Sequence, residues 1–118
     1  MLRADPASEL SLSLVTTGFG YRAEVRAAQA RTLTRVLPRV RDIRRQGSAA
    51  LELCYVAMGR QDAYYEQGLN AWDLAAGWLI AERAGVTVRG RGGGVPDADL
   101  LLAGRPEILD ELEALIEG

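Results

Sequence analysis

The chain has 118 residues, 48% of them hydrophobic, and a formal net charge of −2. That is the size of one ordinary domain with a core of its own, and the charge does not favour general nucleic-acid binding. There is no histidine and one cysteine, Cys54, so histidine-dependent triads, histidine-ligated zinc and an internal disulfide are all excluded.

Leu10 to Thr16 is rich in Leu, Val, Ser and Thr and ends at Gly18 and Gly20, which reads as a buried strand and a turn. Arg22 to Leu37 reads as a helix with Val25, Ala28, Leu33 and Val36 on its apolar side, stopped by Pro38. Val40 to Arg45 reads as a short strand, and the arginines from Arg39 to Arg45 as a solvated face. Ser48 is a good N-cap for a helix over Ala49 to Met58, and Gly59 a good stop. Within that run Cys54 is expected to be a buried, inert thiol, since nothing basic stands beside it in sequence.

Ala63-Tyr64-Tyr65 is a short aromatic strand whose alternation sends the two rings to opposite faces, leaving room for one to be partly exposed. Asn70 can cap a helix over Ala71 to Arg83, which is apolar on most sides and is expected to pack deeply. Val86 to Val88 and Leu100 to Ala103 read as strands, separated by a glycine-rich turn from Arg91 to Pro96. Pro106 opens a last amphipathic helix with Ile108, Leu109, Leu112, Leu115 and Ile116 on one face. Strands alternating with helices predict an α/β domain, layered αβα, with a mostly parallel sheet covered on both faces.

Glu66, where a strand meets a loop, and Asp73, in the first turn of a helix, are the carboxylates of most interest. Such positions converge on the edge of an α/β sheet where ligands bind, and a hard cation such as Mg²⁺ takes oxygen ligands of this kind. On spacing alone, Asp73 reads more readily as no more than a favourable first-turn charge. Gly47-Ser48-Ala49 opens a helix whose free N–H groups can face an anion or a hydroxyl, although most such starts are simple caps. Gly18-Phe19-Gly20-Tyr21-Arg22-Ala23 fits a short dinucleotide-binding fingerprint with Asp42 near the ribose-acid position, a weaker reading. Arg91-Gly92-Gly93-Gly94 occurs once and reads as a turn rather than an RNA-binding unit.

Several of these pieces occur in one order. The run Arg44 to Gly59 is followed by Asp62-Ala63-Tyr64-Tyr65-Glu66, then Asn70-Ala71-Trp72-Asp73-Leu74-Ala75-Ala76-Gly77, then Glu82-Arg83-Ala84-Gly85-Val86. This resembles the C-terminal half of the inositol monophosphatase family, whose W-D-x-A-x-G signature is matched by Trp72, Asp73, Ala75 and Gly77. The resemblance implies the second domain of that fold and a Mg²⁺-dependent hydrolysis of a small phosphate monoester. It also implies that Asp73 ligates a metal, that Glu66 accepts hydrogen bonds from substrate ring hydroxyls, and that Gly47, Ser48 and Ala49 form a helix start facing the substrate. Gly18 and Gly20 then belong to a loop near the substrate pocket.

The family's first half carries a metal-binding glutamate and a D-P-[LI]-D-G-T motif, and neither is found here: Asp5-Pro6 is followed by Ala7-Ser8-Glu9. The resemblance therefore implies a separate second domain that lacks its N-terminal partner domain and is inactive alone, with a homo-oligomer or interaction module as the alternative. No apolar run is long enough to span a membrane and the N-terminus is unlike a signal peptide, so the expected setting is cytoplasmic, without a nucleic-acid or membrane partner.

Overall fold

The computed structural model describes residues 9–20, 22–45, 47–68, 71–97 and 99–118; the side chains of 49, 50, 71–74, 76 and 77 lie outside the described residues. In chain order the elements are β1 (Leu14–Thr17), α1 (Ala23–Val36), β2 (Asp42–Arg44), α2 (Ala49–Ala57), β3 (Ala63–Glu66), α3 (Ala71–Arg83), β4 (Thr87–Arg89), β5 (Leu101–Gly104) and α4 (Pro106–Glu117).

The sheet runs β2-β1-β3-β5-β4. β1 pairs in parallel with both β2 and β3, whereas β5 runs antiparallel between β3 and β4, with Tyr64 opposite Ala103 and Val88 opposite Ala103 on the other side. Four strands thus point one way and β5 points back, within the αβα layering that the alternation predicts.

The pleat sorts the core into two halves. Val15, Ala63, Tyr65 and Leu102 face α1 and α4, where Val36, Ile108, Leu109, Leu112 and Ile116 meet them. Tyr64, Val88, Leu101 and Ala103 face α2 and α3, where Leu53, Val56, Ala57 and Ala81 meet them. Tyr64 and Tyr65 do point to opposite faces, but neither is partly exposed, because helices cover both sides.

Local departures have local causes. Leu10 to Thr16 is not one strand: Leu10–Leu12 form a 3-10 turn, closed by Ser13 N donating to Leu10 O at 2.9 Å, and pairing begins at Leu14. The turn drops Leu10 into the core and leaves Leu12 58% exposed. α1 buries Gln29 and Thr32 beside Val36, while Ala28 stays exposed; Gln29 is needed inside as a hydrogen-bond partner of the loop before the helix. α3 packs on α2 and β4, and Leu79 and Ile80 are 54% and 45% exposed rather than deeply packed. Cys54 is half-buried rather than enclosed.

On the far edge, β4 and the following 3-10 turn are clasped to α4. Arg89 donates to Glu113 at 2.6 Å and to Asp110 at 2.9 Å, Gly92 N donates to the other Glu113 oxygen at 2.9 Å, and Arg91 pairs with Glu117 at 2.6 Å. The glycine-rich segment is a turn, with its arginine engaged inside the domain.

Candidate functional site

Because β1, β2 and β3 are parallel, their carboxyl ends share one edge of the sheet. The loop after β1 carries Gly18 and Gly20, the loop after β2 leads to α2, and the loop after β3 leads to α3. In open α/β sheets this is the edge outside which ligands bind.

Glu66 is the last residue of β3 and is half-buried. Tyr64, two residues back and therefore on the same face, donates its Oη to Glu66 Oε1 at 2.5 Å. Gly18 closes on the same carboxylate: a Cβ at position 18 would stand 2.6 Å from Glu66 Cδ. Thr17 Oγ1 donates to Tyr65 O at 2.8 Å and ties the ends of β1 and β3 together. Gly20 N donates to Gln29 Oε1 at 2.9 Å, which holds the loop against α1.

Gly47 has φ +88°, the left-handed turn that brings the chain into α2. Ser48 caps the helix, its Oγ accepting from Leu51 N at 3.4 Å, and both residues are exposed. Ala49 begins the helix backbone. Asp73 stands in the first turn of α3, on the same edge; its side chain, like the proposed cap Asn70, lies outside the described residues. The topology thus gathers Gly18, the start of α2, Glu66 and the start of α3 at one edge.

Among the described residues no group of three His, Cys, Asp or Glu side chains could hold a metal ion. A Mg²⁺ ion wants near-octahedral oxygen ligation. Glu66 and Asp73, the carboxylate residues placed at this edge, do not by themselves make up that set.

The sequence did not mark Tyr64 as the group that orients Glu66; an i, i+2 pair on a strand is the signal that could have found it. Nor did it mark Phe19, whose ring centroid lies 5.8 Å from the guanidinium carbons of both Arg26 and Arg45. Those three positions meet only through the fold. Asp42, the ribose-acid candidate of the dinucleotide reading, is the first residue of β2 and so lies at the opposite edge from Gly18. It accepts from Ile43 N and Arg44, and the Arg44 hydrogen bond, followed by that from Ile43 N, holds its carboxyl below the usual range. That separation removes the dinucleotide arrangement.

A five-stranded sheet covered by helices on both faces, with a tyrosine-held carboxylate at the edge where two helices start, defines a layered α/β class of domain. Sequence comparison makes it specific: the profile of the inositol monophosphatase family matches residues 1–117, and the chain belongs to that family. An inositol-1-monophosphatase of Mycobacterium bovis is 49% identical over 122 residues, covering 99% of this chain and 41% of the relative. The solved structure of Mycobacterium tuberculosis SuhB superposes with a TM-score of 0.81 at 50% identity, over 98% of this chain and 45% of that one. A relative from Xylella fastidiosa, 46% identical over 85 residues and 31% covered, carries the name Nus factor SuhB. The chain therefore spans about two fifths of the length of the first relatives it matches. The expected absence of a nucleic-acid partner rests on net charge alone and gains nothing from these relatives. Among the described residues no helix is long and apolar enough to cross a membrane.

Proposed function

We propose that this chain is the substrate-orienting half of a Mg²⁺-dependent phosphatase that hydrolyses a phosphate monoester of inositol or a related polyol. The observation that carries the reading is the Glu66 carboxylate, fixed by Tyr64 and Gly18 at the edge where α2 and α3 begin. A carboxylate held in this way accepts hydrogen bonds from ring hydroxyls in a set geometry. The N–H groups at the start of α2, around Gly47, Ser48 and Ala49, would face the substrate. Asp73 would contribute one metal ligand. The remaining carboxylates would come from a preceding half such as the longer relatives have room for, and no chemical step is assigned to this chain alone.

The test uses the purified 118-residue chain. Mg²⁺ titration is expected to give weak binding that D73N abolishes, and inositol phosphate with Mg²⁺ is expected to release no appreciable phosphate. Efficient Mg²⁺-dependent release by the chain alone would overturn the division of labour.

A second reading is an interaction module. Leu51 on α2 and Met58 just after it are 39% and 40% exposed, and Leu79 and Ile80 on α3 are more so. These large apolar side chains suit a covering surface, either the first half of the enzyme or another copy of this chain. A stable homo-oligomer by light scattering, broken by L79D, would favour the second copy. A cytoplasmic setting fits either reading.

A further inference from the structure

Gln29 lies on the buried face of α1, 8% exposed, where an apolar residue would pack on the sheet without cost. A buried amide costs stability unless both of its ends are hydrogen-bonded. Here each end meets a backbone group. Oε1 accepts from Gly20 N at 2.9 Å, in the loop after β1. Nε2 donates to Gln67 O at 3.5 Å, a long bond, just past the end of β3. The amide cannot be turned round, because that would set donor against donor at Gly20 and acceptor against acceptor at Gln67.

These two backbone groups stand where the sheet lets go. β1 and β3 are paired as far as Thr17 opposite Tyr65, and there the Thr17 hydroxyl, donating to Tyr65 O, closes the ladder. One residue further on stand Gly18 and Glu66, packed against each other. Beyond them the Gln29 amide takes the place of the next rung, with one donor and one acceptor as a peptide group has. α1 grips the loop at other points too. Arg26 Nη1 donates to Gly20 O at 3.0 Å, and a Cβ at position 20 would stand 2.9 Å from Val25 Cγ1. The space left among Thr17, Gly18, Gln29, Tyr65 and Gln67 is about 10 Å³, room for about one water, so the loop has little slack.

We propose that Gln29 is a positioning residue: by bridging Gly20 and Gln67 it sets the separation of the β1 and β3 ends, and with it the place of the Glu66 carboxylate. The inference rests on the reading of Glu66 as the acceptor of substrate ring hydroxyls. Glu66 meets the ring, and Gln29, buried behind it on α1, acts only through the two loops.

The experiment compares the ¹³C,¹⁵N-labelled 118-residue chain with Q29L, which keeps the bulk and removes both hydrogen bonds, and uses myo-inositol as the probe. The carboxyl carbon resonance of Glu66 is expected to move in Q29L, while the backbone resonances of Val88 in β4 stay in place. The parent chain is expected to bind myo-inositol with a Kd of about millimolar. Q29L is expected to weaken that binding about fivefold, the worth of one net hydrogen bond. A Gln29 that served stability alone would lower the unfolding midpoint and leave both readouts where they were. Q29M, which is more pliable, takes the place of Q29L if the latter does not fold. A folded variant with an unmoved Glu66 carboxyl resonance would overturn the proposal, and so would unchanged affinity where the parent binds. If the parent does not bind myo-inositol saturably, the hydroxyl-accepting role of Glu66 fails, and the carboxyl resonance alone decides the role of Gln29.

Discussion

Gly18 and Glu66 are packed so closely that position 18 has no room for a side chain while the Glu66 carboxylate stays where it is. The constraint is steric. Gly18 is absent from the glycines of positive φ, so alanine is unopposed by its backbone. G18A is expected to push the carboxylate aside at a stability cost of about 1 kcal/mol, the low end for overpacking, because the obstacle is the mobile end of a side chain. A double-mutant cycle checks this: in an E66A background, G18A should be nearly neutral in urea denaturation.

Tyr64 holds the same carboxylate from the sheet side, from a fully buried position. Y64F keeps the ring and removes the donor, so the expected loss is about 1.5–3 kcal/mol, the range for a hydrogen bond to a charged acceptor. The midpoint of urea unfolding should fall with an unchanged slope.

Acid should undo the clasp on α4. The Arg89 guanidinium, and to a smaller extent Gly92 N–H, hold the Glu113 carboxyl below its ordinary range, against burial. A carboxyl of lowered folded pKa stabilises the fold above its unfolded value of 4.5 and loses that contribution as pH falls through the folded value. E113A should therefore cost about 1–3 kcal/mol at pH 7, and the difference from the parent should shrink towards pH 3. Unfolding curves of both proteins across that range are the measurement.

Base should act through Tyr65. Burial pushes its hydroxyl above the ordinary value of 10.0, partly offset by hydrogen bonding from Thr17. The folded state then keeps a proton that the unfolded chain loses, so stability is intact below pH 10 and declines above it. Y65F should flatten that decline between pH 9 and pH 11, as read from thermal unfolding.

The alternation of strands and helices was legible because each element carries its own period and its own stops. Ser48, Gly59, Gly85 and Pro106 punctuate the chain as their chemistry dictates. Glu66 and Asp73 were legible as candidates because strand ends and helix starts are readable, and topology brings those two positions to one edge. The rest was set by long-range geometry. The antiparallel course of β5 follows from the glycine-rich turn that joins it to β4 without a crossover helix, while its insertion beside β3 is stated by no local pattern in Leu101–Gly104. The polar buried face of α1 follows from Gln29 reaching Gly20, nine residues away. The exposure of Leu79 and Ile80 depends on what lies outside α3, and their sequence reads the same in either case.

The place of β5 also bears on the timing of assembly. It is the last of the five strands in chain order, yet it sits between β3 and β4 and joins them. Until residues 101–104 are available, β4 has no partner in the sheet and Tyr64 and Tyr65 lack one side of their setting. The nascent domain is therefore held open, with aromatic surface uncovered, until nearly all of it has been synthesised. A stalled chain lacking β5 and α4 would be expected to engage chaperones, whereas one lacking only α4 would have all five strands of its sheet.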